Sequence, residues 1–264
     1  MKFKEPKTID EQIEYLKQDK RIVFNDISIN EAKNVLTKYG YINVISPFKY
    51  FFAEKDKNGN VIKENGRHVY NRDVDFFEYY SNYLKERSSY AIIYKNICEF
   101  ESIFNSIVSY ECIHYYNIDD SDKFEHFINS LKLNISQLGL KESVKTHYLA
   151  ALSSIYNKMD EYQSIYILLD RLTLNEIFII FRCCNSNLKS RIFKKLISQN
   201  CTFKETRITN FENKFTKIVL IRNYVFHNNS LTILIRYYKV GTKELRKTSE
   251  RKEFSRLVKM LSQD

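Results

Sequence analysis

The chain has 264 residues, of which 44% are hydrophobic, so it can bury a sizeable core and is not expected to be disordered. It contains only 5 glycines and 2 prolines, which excludes a turn-rich β architecture and predicts an all-α fold with long helices. Lysine and arginine outnumber aspartate and glutamate by 42 to 32, and the formal charge of +10 favours a polyanionic partner, although excess lysine can also be merely solvating.

Cysteine usage and hydropathy indicate the compartment. The five cysteines form no Cys-x-x-Cys pair and no zinc spacing, which is typical of reduced thiols in a cytosol. The segment from Met1 to Glu14 is charged, and the chain lacks the run of about 18 apolar residues that a membrane-spanning helix needs. We therefore predict a soluble, cytoplasmic protein with no membrane partner, no metal and no cofactor.

Two helices are predicted near the N-terminus. The first covers Thr8 to Lys17, and the second begins at Ser28, because Ser28 and Glu31 fit a capping box. The second helix is expected to stop near Gly40, the residue best able to adopt a left-handed cap.

A segment of different composition follows these helices. Asn58-Gly59, between Phe48 and Tyr70, is the strongest hairpin signal in the chain, so we predict a small β-ribbon or a polar loop there. We divide the chain into an N-terminal helical module with this hairpin-like insertion, residues 1–72, and a helical domain, residues 73–264.

The rest of the chain has the spacing of amphipathic helices. Residues Asp73 to Tyr116 are predicted to form two consecutive helices, broken around Arg87 to Ser89. The acidic run from Asp119 to Asp122 could bind a divalent cation, but capping of the next helix explains it more simply. Further helices are predicted at Lys123 to Gln137, Lys141 to Met159, Asp160 to Arg171, Thr173 to Phe181 and Leu188 to Ser198.

The helix predicted at Asn210 to Phe226 carries the strongest functional signal, because Arg222 interrupts its apolar stripe. A guanidinium in a protein core costs several kcal/mol unless it is paired, so the sequence predicts a facing carboxylate. Asn223 and His227 lie beside the stripe, one helical turn apart. The apolar residues of the stripe are Phe211, Phe215, Ile218 and Phe226.

The segment Arg222-Asn223-Tyr224-Val225-Phe226-His227 resembles the Arg-Asn-x-x-x-His signature of HEPN ribonucleases. The wider chain resembles the Abi abortive-infection proteins of the AbiD/AbiF type, which implies a HEPN-like helical bundle. This wider resemblance rests on Ile9 to Leu16, Ala32 to Tyr41, Ile97 to Phe104 and Leu168 to Thr173.

The chain also departs from the family pattern. Many members carry a second histidine after the motif, whereas His227 is followed here by two asparagines. Asp170 stands where glutamate is commoner, and Asn105 stands where a basic residue usually follows Glu101 by one helical turn.

The resemblance implies a metal-independent endoribonuclease in which the substrate's own 2′-hydroxyl is the nucleophile. His227 suits acid–base work near neutral pH, and Arg222 can hold phosphate oxygens. Asn223 would orient either the histidine or the phosphate, and Glu101, in preference to Asp170, would hold the guanidinium. The alternative is structural: Arg222 forms a buried salt bridge and His227 caps the helix end.

The resemblance also implies partners. One histidine supplies one proton-transfer group at a time, and HEPN proteins resolve this by forming a homodimer with a composite cleft. A second hypothesis is an RNA-binding protein of a toxin–antitoxin-like pair, which holds a small structured noncoding RNA with little or no turnover. The basic candidates for RNA binding are Lys189, Arg191, Lys194, Lys195, Lys204, Arg207, Lys243, Arg246, Lys247 and Arg251, and their alternative is a solvated helical face.

Overall fold

The computed structural model describes residues 6–57, 61–64, 67–199, 207–237 and 245–263. The predicted all-α fold is confirmed, and the strands are only two residues long. The helices are α1 (Ile9–Lys20), α2 (Ile29–Tyr39), α3 (Tyr41–Val44), α4 (Lys49–Phe52), α5 (Phe76–Ser88), α6 (Tyr90–Tyr116), α7 (Ser121–Ile135), α8 (Glu142–Asn157), α9 (Ile165–Asp170), α10 (Leu174–Cys183), α11 (Ser186–Ser198), α12 (Ile208–Phe226), α13 (Leu231–Arg236) and α14 (Thr248–Leu261). The strands are β1 (Ile22–Val23), β2 (Lys63–Glu64), β3 (Arg67–His68) and β4 (Val74–Asp75).

The chain forms two compact units. The first comprises Met1–Ala91 with Tyr224–Arg256, and the second comprises Ile92–Asn223 with Leu257–Asp264. The helices α6, α12 and α14 therefore each contain a unit boundary. The division into folding domains at residue 72 is a separate matter and remains a prediction.

The first unit is built on three capped helices. Ser28 forms the predicted capping box at α2, and Thr8 and Asp75 form further capping boxes at α1 and α5. The apolar faces of these helices pack together in a core that contains Leu16, Leu36, Val44, Phe76 and Tyr79. Strand β1 pairs in parallel with β4, a contact that the sequence did not predict.

Two local predictions in this unit need correction or qualification. Gly40 ends α2 with a positive φ of 78°, but its ψ of 146° is not that of a left-handed helix, because α3 begins at the next residue. The predicted β-ribbon is confirmed as the antiparallel pair β2 and β3. The Asn58-Gly59 turn signal lies outside the described residues.

His68, on β3, makes the first unit sensitive to acid. Burial, together with the charges of Lys49 and Lys20, lowers the pKa of His68 to about 4, whereas an unfolded histidine titrates near 6.5. As the pH falls from about 6.5 to about 4, the unfolded chain takes up a proton that the folded chain does not, so stability is lost. We expect His68→Gln to reduce the fall in thermal midpoint between pH 7 and pH 4.5, measured by circular dichroism. The same substitution at exposed His126 is the control, and an equal reduction there would contradict the prediction.

Phenylalanine side chains dominate the core of the second unit. Phe104 on α6 and Phe211 on α12 lie with ring centroids 5.9 Å apart. Phe215, one turn further along α12, stacks on Phe178 of α10 at 3.8 Å, with an interplanar angle of 7°. Because these contacts fix α12 against α6 and α10, they also determine which residues of α6 and α10 face the later turns of α12.

Most of the later helices were predicted at the correct positions. The break between α5 and α6 falls at Ser89, as predicted. Asp120 accepts a hydrogen bond from the Lys123 backbone N–H at 2.8 Å, so the acidic run caps α7. The predicted helix from Asp160 to Arg171 was wrong in its first half, because a single 3-10 turn precedes α9 and Ser164 caps α9 instead. Within the described residues, no helix is both long and apolar enough to cross a membrane.

Candidate functional site

Arg222 occupies a seam position of α12, as the sequence predicted. Phe211, Phe215 and Ile218 are buried before it, and its own side chain is 28% exposed. Beyond Arg222 the buried residue is Val225, whereas Phe226 is only partly buried, so the assignment of Phe226 to the stripe was wrong. Alternating steps of four and three residues keep a stripe on one face of a helix. A second step of four, from Arg222 to Phe226, turns the side chain away from that face.

A carboxylate faces this guanidinium, and it belongs to Glu101. The distance from Arg222 Nε to Glu101 Oε2 is 3.8 Å, and the Glu101 side chain is 19% exposed. The other carboxylate oxygen, Oε1, accepts a hydrogen bond of 3.1 Å from the backbone N–H of Leu174, the first residue of α10. The positive end of α10 and its free N–H therefore fix one oxygen of Glu101 and leave the other toward Arg222. Asp170, the alternative partner, is exposed and lines a cleft with Tyr110.

Asn105 explains how α6 holds the start of α10. Its side-chain amide donates a hydrogen bond of 3.1 Å to the carbonyl of Leu172, and the residue is 6% exposed. Glu101, one turn earlier on the same face, binds the N–H of Leu174. Two side chains of α6 thus hold the short connection before α10, and Asn105 has a structural task where the family pattern has a basic residue.

Two residues near Arg222 were not predicted from the sequence to belong to the site. Tyr94 and Cys98 precede Glu101 by seven and three positions, a spacing that places all three on one face of α6. The Cys98 thiol, which hydrogen-bonds to the Tyr94 hydroxyl, raises the pKa of Tyr94; Glu101 acts in the same direction and Arg222 opposes it. The Tyr94 side chain is 46% exposed, so a hydroxyl group and an aromatic ring lie in solvent near the Arg222 and Glu101 pair.

Asn223 and His227 are both exposed. The Asn223 side-chain oxygen accepts a hydrogen bond of 3.4 Å from Arg222 Nη1, so Asn223 is a neighbour of the guanidinium. His227 directly follows the last residue of α12, and Asn228 after it has a positive φ of 56° that ends the helix. His227 belongs to the first unit, whereas Arg222 and Asn223 belong to the second.

The end of α5 holds the segment that follows His227. Glu86 Oε2 accepts hydrogen bonds from the Ser230 hydroxyl at 3.2 Å and from the Thr232 backbone N–H at 2.8 Å. Arg87 donates to the side-chain oxygen of Asn228. The asparagine-rich sequence after the motif is therefore fixed by hydrogen bonds to a helix that lies about 140 residues earlier in the chain.

A comparison with protein families gives one match. A family model described as Abi-like protein matches residues 34–232, a range that includes Glu101, Arg222 and His227. The chain belongs to the Abi-like protein family. It is thus an abortive-infection protein by family. No curated protein and no solved structure matches this Abi-like chain.

The basic candidates in the second unit of the Abi-like protein differ in their environment. Lys189 Nζ lies 3.3 Å from Glu212, and its side chain is only 13% exposed, so the pair is structural. Arg191 and Lys195 both pair with the fully buried Glu111, yet their side chains are 52% and 48% exposed. Lys194 and Arg207 are exposed, and Lys204 lies outside the described residues.

The basic candidates in the first unit that the structure describes differ in their exposure. Arg246 is 7% exposed and donates a hydrogen bond of 2.8 Å to the carbonyl of Leu234. Its side chain is therefore not available to RNA, contrary to the prediction from the sequence. Lys247 is exposed, Arg251 is partly buried, and Lys243 lies outside the described residues. In the part of the Abi-like chain that the structure describes, no group of three or more His, Cys, Asp or Glu side chains could hold a metal ion.

Proposed function

We propose that this Abi-like protein is a HEPN-type endoribonuclease that cuts RNA without a metal, through attack of the substrate's own 2′-hydroxyl. The observation that carries the proposal is the Arg222 guanidinium, which is 28% exposed and lies beside Glu101 at a position where the helix otherwise buries apolar residues. An arginine in such a position requires a structural or a functional reason, because burial of its charge is costly. Its remaining exposure and its exposed neighbours Asn223 and Tyr94 support the functional one.

The proposed reaction proceeds in one displacement at phosphorus. A 2′-hydroxyl of the RNA loses its proton and attacks the adjacent phosphorus, the bond from phosphorus to the 5′-oxygen breaks, and that oxygen takes up a proton. The products are a 2′,3′-cyclic phosphate and a 5′-hydroxyl. Arg222 donates to the non-bridging phosphate oxygens and stabilises the charge that builds up on them.

His227 is the group that moves protons in this proposal. An imidazole that is exposed to solvent can accept one proton and return another within a turnover. Because one histidine serves one end of the reaction at a time, we propose a homodimer in which the second chain supplies the other proton-transfer group. Asn223, which accepts from Arg222, would orient the phosphate.

The products of the wild-type protein on single-stranded RNA test the proposal. Cleavage should persist in excess EDTA, and mass spectrometry of the fragments should show 2′,3′-cyclic phosphate and 5′-hydroxyl ends. A DNA strand of the same sequence, which has no 2′-hydroxyl, should remain intact. Cleavage that stops in EDTA, or fragments with 5′-phosphate ends, would rule out this mechanism.

Glu101 is a positioning residue in this account. Glu101→Gln removes the negative charge that faces Arg222 but keeps an acceptor for the Leu174 N–H. We expect kcat for RNA cleavage to fall by about 10- to 100-fold, because a misplaced catalytic group costs rates of this order, with little change in KM. The readouts are steady-state kinetics and urea unfolding.

Glu212→Gln is the matched control for Glu101→Gln. Glu212 lies 3.8 Å from Arg182 Nε, and its side chain is 17% exposed. Glu101 likewise lies 3.8 Å from Arg222 Nε, and its side chain is 19% exposed. The control should keep the wild-type kcat. Equal losses of kcat in both variants, or none in either, would contradict the positioning role.

A second candidate function is the holding of a structured RNA with little turnover. The observation that favours it is the placement of half-exposed cations over tyrosine rings: Arg191 lies 5.7 Å from the Tyr115 ring, and Lys195 lies 4.3 Å from the Tyr110 ring. Co-purification of one discrete RNA that is released at high salt would support this function. Protein that is free of nucleic acid at low salt would argue against it.

A further inference from the structure

An open cleft lies on the second unit, between α6 and α9. Its volume is about 430 Å³, within the range of about 300–1,000 Å³ that is usual for small-ligand sites. No residue of the proposed nuclease site lines it. Its lining includes Ser106, Ser109, Tyr110, Tyr166, Asp170 and Arg171.

Two aromatic rings stand open to solvent in this cleft. Tyr110 is 47% exposed and Tyr166 is 50% exposed, although burial of a tyrosine ring stabilises a fold. Tyr110 is held by its neighbours, since His114 packs on its ring at 4.1 Å and Lys195 Nζ lies 4.3 Å from its centroid. A half-exposed ring is a surface on which a planar group can stack, at the part that its neighbours leave open.

The polar groups of the cleft fit a nucleotide. Arg171 offers a guanidinium that can bind a phosphate, and Lys195 adds a second cation beside Tyr110. Asp170 offers acceptors for the amino group of a base. Ser109 is 5% exposed, and its hydroxyl lacks a hydrogen-bond partner among the described residues, so a ligand in the cleft could supply one.

The charge around the cleft favours an anionic ligand. Arg191 and Lys195 on α11 are held in place by ion pairs with Glu111, which is fully buried. Arg171, which lines the cleft, and Lys195, which lies on the Tyr110 ring, carry two positive charges, whereas the lining residue Asp170 carries one negative charge. The buried carboxylate of Glu111 thus fixes Arg191 and Lys195 at the surface.

We propose that this cleft binds one unpaired nucleotide of an RNA strand, with the base stacked on Tyr110 or Tyr166 and its phosphate on Arg171 and Lys195. The cleft is then a holding site outside the Arg222 region, and it deepens the proposed action on RNA by naming where a further part of the strand is bound.

Binding in a cleavage-deficient background tests this site separately from the nuclease proposal. In an Arg222→Ala chain, the affinity for a fluorescein-labelled, single-stranded oligoribonucleotide of mixed sequence is measured by anisotropy. Adding Tyr110→Ala with Tyr166→Ala should weaken binding by roughly 5- to 100-fold, because stacking on one ring contributes that much. Tyr110→Phe with Tyr166→Phe keeps both rings and should bind within about threefold of the parent.

Two controls exclude trivial causes. Leu133→Ala removes a side chain that is 74% exposed on α7 and should leave the affinity unchanged. Thermal unfolding of each variant shows whether the fold is intact. A variant of the oligoribonucleotide that carries 4-thiouridine should form photocrosslinks to the peptides that contain Tyr110 or Tyr166.

Each outcome decides the proposal. Folded alanine variants that bind the oligoribonucleotide as tightly as the parent would overturn it, even if the wild-type protein cuts RNA. The alanine variants could also lose binding of adenosine or uridine monophosphate while they bind the oligoribonucleotide as tightly as the parent. The cleft would then be a site for free nucleotides, and the proposal would be overturned. Loss of RNA binding in a protein that never cleaves RNA would support the cleft and refute only the nuclease.

Discussion

Arg222→Ala is expected to lower the rate of RNA cleavage by at least about 10³-fold, the loss typical of a guanidinium that stabilises the transition state of phosphoryl transfer. Arg222→Lys keeps the positive charge but not the two parallel donors, so its rate should lie between those of wild type and Arg222→Ala. The measurement is the initial rate on a labelled oligoribonucleotide in EDTA. Binding of the uncleaved RNA, followed by anisotropy, should change far less than the rate.

Arg182→Ala is the matched control for Arg222→Ala. Arg182 Nε lies 3.8 Å from Glu212, and its side chain is 21% exposed, against 3.8 Å from Glu101 and 28% for Arg222. Both substitutions break a half-buried ion pair in the second unit, so their effects on unfolding should be similar. If Arg182→Ala, while folded, loses as much activity as Arg222→Ala, the role of Arg222 is structural.

His227→Ala is expected to lower the cleavage rate by about 10²- to 10⁴-fold, the usual contribution of a general acid or base. Because His227 is exposed, the free energy of unfolding should change by less than about 0.5 kcal/mol. The comparison is with His126→Ala, which removes an exposed histidine of α7 and should leave the rate unchanged. A stable His227→Ala protein with the wild-type rate would show that the imidazole moves no proton in the reaction.

Mixing the two inactive proteins tests the proposed homodimer. If two chains form one composite cleft, a mixed dimer of Arg222→Ala and His227→Ala retains one intact copy of each side chain and should recover part of the wild-type rate. Light scattering gives the mass of each species. Monomeric active protein, or a mixed dimer with no activity, would contradict the shared cleft.

The helices could be predicted because their signals are local. Thr173 and Glu176 form the capping box that opens α10, and the apolar spacing of α12 positioned Arg222 on its seam. The prediction of a carboxylate near Arg222 also followed from local information, because it depends on the cost of a buried charge.

The identity of that carboxylate could not be decided from the sequence. In the sequence, Glu101 and Asp170 were both candidates for the carboxylate that faces Arg222. The choice between them depends on how α6 and α10 pack around the phenylalanine core. The backbone N–H of Leu174 fixes Glu101 through a contact that spans 73 residues. No spacing rule in a single sequence contains this information.

For Arg246, the prediction of an exposed RNA-binding side chain was wrong. In the sequence it stands in a basic cluster and resembles a surface residue, yet in the structure it donates to Leu234 and packs on the ring of Phe254 at 4.5 Å. Arginine side chains are mostly exposed in folded proteins, and only tertiary contacts show which arginine is an exception.

The most direct test of the central claim is a single chemical change in the RNA. Once the cleaved bond has been mapped, an oligoribonucleotide with one 2′-deoxy sugar on the 5′ side of that bond is incubated with wild-type protein in EDTA. The account predicts that cleavage at this bond disappears while neighbouring sites are still cut, because the nucleophile has been removed. Continued cleavage at the modified bond would contradict the account.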